Sequence, residues 1–141
     1  MRIWTINLSS LDTKRLVALW RETLLCKKGI ELLPQKYAYQ NHPQSKIFQN
    51  TSYPLGFVNT YLSLIKQEAD RRGYNFDSSK IDPSLILKEG TIPVPLDQVQ
   101  WEYKHLSHKL QTPKLYEGTN ALFHIEQTPW PFEPNRVFYE D

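Results

Sequence analysis

Between Leu55 and Arg72, the residues Phe57, Val58, Tyr61, Leu62, Leu64, Ile65 and Ala69 recur at helical spacing, and Gly73 follows as a stop signal. This run constrains the fold more than any other feature, because a helix with a wide apolar stripe must lay it against another element. Two further segments can supply that surface. "DTKRLVALWRETLLC", from Asp12 to Cys26, opens on an Asp suited to capping and carries apolar residues on more than one face, so this helix is expected to be largely buried. From Asp97 to about Gln111, Val99, Tyr103, Leu106 and Leu110 share one stripe, and Pro113 bounds the segment. No pair of alternating apolar runs is joined by a tight Asn-Gly or Asp-Gly turn. The sequence therefore predicts an all-α fold of about three main helices. The stretches 34–54, 77–96 and 112–141 contain Pro but also Tyr, Phe, Trp and Leu, which predicts long ordered loops rather than disorder.

At 141 residues, 40% of them hydrophobic, one packed core is within reach and two are not, so a single compact domain over 1–141 is expected. Cys26 is the one cysteine, which rules out an intrachain disulfide. No apolar stretch approaches the ~18 residues of a membrane span, and residues after Arg2 form no continuous apolar leader. A cytoplasmic monomer without membrane contact is the expectation. The net charge of +2 is small but unevenly placed. Residues 1–28 hold six basic side chains against two acidic ones, a net +4, and residues 115–141 hold one against five, a net −4. A polyanion is expected at the basic end.

Two features at that end bear on chemistry. Arg2 is too large for removal of the initiator, so Met1 is expected to stay and present a free α-amine. On the first helix, the neighbours of Glu22 at three and four positions are Ala18, Leu19, Leu25 and Cys26, and those of Arg21 are Val17, Ala18, Leu24 and Leu25. Neither charge has an intrahelical partner. They are read either as a buried structural ion pair or as a site. A carboxylate beside apolar surface suits general acid/base work, since desolvation favours its protonated form.

The start "MRIW", then "LVALWRE", "NHPQ" and "RRGYNFDSSKI" together resemble the pyrimidine dimer DNA glycosylase family typified by phage endonuclease V, over roughly residues 1–110. The resemblance implies an all-helical domain that acts on damaged double-stranded DNA, extrudes a nucleotide at a cyclobutane pyrimidine dimer and uses no cofactor. In that family the N-terminal α-amine attacks the sugar's anomeric carbon, releasing the base and then cleaving the strand. Met1 takes the place of the nucleophile, Glu22 that of the catalytic glutamate, Arg21 that of its phosphate-contacting neighbour, and Arg2 that of the arginine beside the amine. Such an amine suits the role: with a pKa of ~7.7–8.0 against ~10.4 for a lysine, its neutral fraction at pH 7 is roughly several hundred times larger. The chain departs from the phage pattern at Arg15 and Leu25, where the phage enzyme has a histidine and an arginine. A relative acting on another damaged base, or a non-catalytic helical nucleic-acid-binding module, are the alternatives.

Other residues stay open between two roles. His42, set extended by Pro43, is either a contact to phosphate or sugar or a structural hydrogen-bonding group. Arg71, Arg72 and Lys80 either grip phosphates or complement a helix end. Trp130 or Phe132 either stacks on a base or packs in the core. His105 and His108 share a helix face without a convincing set of further ligands, so no metal is expected and both are read as solvated.

Overall fold

The structure, a computed structural model, describes residues 1–131, 133 and 136–139. These pack as two compact units, one of Met1–Ile3 with Asp12–Gly90 and the other of Trp4–Leu11 with the described residues from Thr91 onward.

The first unit is helical. Helix α1 spans Thr13–Leu32, a short α2 spans Lys46–Gln49, and α3 spans Pro54–Arg71. Helix α1 runs six residues beyond Cys26, because Lys27, Lys28 and Gly29 do not interrupt a ladder of good helix formers. Asp12 holds the N-cap position but makes no cap bond; its carboxylate accepts from Arg15 Nη1 at 3.2 Å instead. Helix α3 starts on Pro54, whose fixed φ suits a first turn. Its stripe of Val58, Tyr61, Leu62, Ile65 and Ala69 is completely buried and packs on α1, whose Leu16 and Leu19 are equally buried. Burial of each valine, leucine or isoleucine among them contributes about 1.5–3 kcal/mol.

The segment after α3 explains the "RRGYNF" run. Gly73 at φ +81° turns the chain, and the Tyr74 amide donates back to the Ala69 carbonyl at 2.8 Å. Tyr74 then meets Thr13 through its hydroxyl at 2.6 Å, and Phe76 packs on Trp20 with ring centroids 5.1 Å apart. Lys27 Nζ donates to the Lys80 carbonyl at 2.6 Å, and Asn59 Oδ1 accepts from the Asp82 amide at 2.9 Å. Four aromatic or polar anchors thus strap residues 74–82 across α1 and α3.

The second unit corrects the all-α expectation to a mainly helical fold with a small sheet. Strands β1 (Ile92–Pro95) and β2 (Phe123–Glu126) pair in parallel, with Ile92 opposite Phe123, and α4 (Leu96–Leu110) forms the crossover between them. No hairpin signal announces such a pair, and two prolines disguise β1. Helix α4 also anchors the N-terminal segment. Fully buried Glu102 accepts from the Thr5 amide at 2.8 Å, the Thr5 hydroxyl at 3.0 Å and the Ile6 amide at 3.4 Å. Asn120 Nδ2 donates to the carbonyls of Trp4 and Ile6 at 3.0 and 3.1 Å.

Candidate active site

Met1, Arg2, Arg15, Arg21, Glu22, His42, Arg71, Arg72 and Lys80 all lie in the first unit, and Trp130 lies in the second. Arg21 and Glu22 are not embedded, as their helical neighbours suggested. Helix α1 buries one stripe through Leu16, Leu19, Thr23, Cys26 and Ile30, whereas Val17, Ala18, Leu24 and Leu25 are only half-buried. Arg21 therefore reaches solvent and Glu22 is half-buried at the edge of the stripe. Neither makes a hydrogen bond or an ion pair among the described residues. An exposed guanidinium beside a half-buried carboxylate, both without a side-chain partner among the described residues, places two opposite charges at the surface of α1.

Met1 and Arg2 are half-buried, and Ile3 is completely buried. The Ile3 amide donates to Gln44 Oε1 at 2.6 Å, so the start of the chain is tied to the segment that carries "NHPQ". Within that segment the Gln44 amide donates to His42 Nδ1 at 3.1 Å, and the Ser45 amide donates to the His42 carbonyl at 2.9 Å. Nδ1 of His42 is thus an acceptor, which places the proton of a neutral ring on Nε2. Buried Ser45 in turn meets Cys26, Oγ to Sγ at 3.4 Å, one helical turn beyond Glu22. Burial pushes the Cys26 thiol up; the Ser45 contact opposes that rise, and the negative charge of Glu22 adds to it. The N-terminal residues, the His42–Ser45 segment and the Glu22–Cys26 turn are therefore linked contact by contact.

The remaining cations are differently placed. Arg15 is paired with Asp12 at 3.2 Å. Arg71 holds Glu68 through two bonds of 2.9 and 2.5 Å, and Arg72 Nε adds a third at 2.7 Å. The Arg71 bonds, joined by those of Arg72 and against the effect of burial, hold Glu68 below the ordinary carboxylate range. Lys80 is exposed. In the second unit His105 is not solvated: it stacks on Trp101 at 4.5 Å and its Nδ1 is 2.6 Å from the Tyr139 hydroxyl. Exposed His108 stacks on Tyr139 at 4.1 Å. Trp130 packs edge-on against Trp101 at 5.5 Å with Arg136 over its face at 4.1 Å; Phe132 lies outside the described residues. Gln44 and Ser45 were missed from sequence, since neither is reactive and His42 drew the attention in "NHPQ".

In this helical unit Arg21 and Glu22, without a side-chain partner among the described residues, lie on the same helix as the Cys26 turn that is linked to the N-terminal segment. The family model of the pyrimidine dimer DNA glycosylases matches residues 1–82, which takes in the whole of this constellation, and the chain belongs to that family. The likeness read over residues 1–110 is thereby supported over 1–82. The chain is also 36% identical over 69 residues to the movement protein of Carnation ringspot virus (isolate Lommel), a match covering 48% of this chain and 21% of that protein. No solved structure matches.

Proposed function

We propose that the protein excises cyclobutane pyrimidine dimers from double-stranded DNA and cleaves the strand through an imine formed by the Met1 α-amine. Support comes chiefly from one observation: Arg21 and Glu22 have no partner among the described residues, beside a turn whose Cys26–Ser45 contact leads to the anchor of Ile3. In this reading the amine nitrogen attacks the anomeric carbon, the glycosidic bond breaks, and the base leaves with its electron pair. The nitrogen lone pair then opens the sugar ring by breaking its bond from the anomeric carbon to the ring oxygen, which takes up the proton lost from nitrogen, and the resulting imine acidifies the adjacent sugar carbon. Glu22 takes that proton, and the electron pair expels the neighbouring phosphate. Arg21 and Arg2 neutralise phosphate, and His42, with its proton on Nε2, donates to phosphate or sugar oxygen. Arg15, Arg71 and Arg72, engaged by acidic neighbours in the structure, contribute chiefly to local potential, and exposed Lys80 is available to a phosphate.

A dimer already weakens stacking and pairing, so part of the few kcal/mol needed to extrude a nucleotide is supplied by the lesion itself. The test compares irradiated duplex, irradiated duplex treated with photolyase, and a duplex with an abasic site, all in excess EDTA, because amine chemistry needs no Lewis acid. Cutting of the first and third but not the second is expected. Equal cutting of the first two would refute dimer specificity, and cutting of the third alone would leave only a lyase.

A further inference from the structure

We infer that Gln44 is the positioning residue for the N-terminal nucleophile, a role that rests on the imine reading above. A chain terminus is ordinarily the most mobile part of a domain unless something ties it down. Here the tie is specific. Completely buried Ile3 gives its amide to Gln44 Oε1 at 2.6 Å, and the Met1 nitrogen lies two residues upstream, within ~7 Å of that amide at full extension. The restraint acts close to the amine, and few torsions separate the two.

Gln44 is itself held. Its amide donates to His42 Nδ1 at 3.1 Å, and the next residue, buried Ser45, meets Cys26 on the turn that follows Glu22. A carboxamide on this framework sets the amine with reference to α1, the helix that carries Arg21 and Glu22. The amide type also suits the place. A neutral oxygen accepts the Ile3 hydrogen without adding a negative charge that would favour the protonated, unreactive amine. Removing it leaves a buried N–H without an acceptor and frees the terminus to sample unproductive positions. Misplacement of a reacting group by about 1 Å costs on the order of 100-fold in rate.

The experiment uses the full chain with Gln44→Leu, which has no acceptor, and Gln44→Glu, which keeps one. Two quantities are measured. One is the hydrogen-exchange protection of the Ile3 amide by NMR. The other is the single-turnover rate of borohydride-trapped adduct with an abasic-site duplex, on the alkaline plateau where an added carboxylate no longer holds the amine protonated. Expected for Gln44→Leu are loss of Ile3 protection and a roughly 10- to 100-fold slower rate, with affinity for the same duplex within about threefold of wild type. Gln44→Glu should keep the protection and most of the rate. Should Gln44→Leu fail to fold, Gln44→Met carries the same comparison. A variant that loses Ile3 protection yet traps at the wild-type rate would overturn the positioning role alone. A wild-type protein with a protected Ile3 amide and no adduct would overturn the imine reading, and the role of Gln44 with it.

Discussion

Glu22 and Cys26 face the same interior edge of α1, one turn apart, and the charge of the first is felt at the second. Replacing Glu22 by Gln removes that charge and preserves the shape. Glu22→Gln is expected to fold as wild type, to bind DNA and to lose strand cleavage by at least about 100-fold, as general-base loss entails. The Cys26 thiol should titrate at lower pH in the same variant, read from thiolate ultraviolet absorbance. An unmoved thiol titration would mean that the carboxylate points elsewhere. Glu68 offers a contrasting carboxylate, since its role is structural. Its folded-state pKa is depressed, so its contribution to stability is complete above the unfolded value, ordinarily near 4.3, and disappears as pH falls through the lower folded value. Glu68→Gln should therefore lower stability by about 1 kcal/mol at pH 7, and by progressively less as pH falls below ~4, measured by urea denaturation across pH. A deficit that persisted at pH 2 would contradict the Arg71 and Arg72 pairing.

At the scale of elements, two placements can be broken selectively. Gly56 lies in α3, where Ala ordinarily gains up to about 1 kcal/mol over Gly. Here a methyl group would stand 2.2 and 2.6 Å from Tyr53 Cδ1 and Cε1 and 2.9 Å from Leu87 Cδ2. Gly56→Ala is accordingly expected to destabilise by about 1–3 kcal/mol, the usual cost of overpacking, and Tyr53→Ala should recover part of the loss. A stabilised single variant, by thermal melting, would show that ring and leucine yield freely. Glu102 on α4 holds the Thr5 and Ile6 amides, and Glu102→Leu leaves those donors without their acceptor at a cost of about 2–5 kcal/mol. Near-neutral stability of that variant would contradict the clamp. The main helices were legible because Pro54, Gly73 and Pro113 punctuate clear apolar stripes. The β1–β2 pair was not, since its parallel pairing spans a whole helix and leaves no local turn signature. Arg21 and Glu22 could be found from their lack of helical partners. Gln44 could not, because its importance lies in a bond to a residue 41 positions away.

Across the whole molecule, the family match over residues 1–82 takes in most of the unit that holds the N-terminal amine, Arg21, Glu22 and the His42–Ser45 segment. The central claim is that the Met1 α-amine is the nucleophile. Incubating the protein with an abasic-site duplex and borohydride, then mapping the crosslinked peptide, tests it most directly. A stable adduct carried on the nitrogen of Met1, abolished by prior blocking of that amine, is expected; an adduct on an internal lysine, or none at all, would refute the Met1 nucleophile.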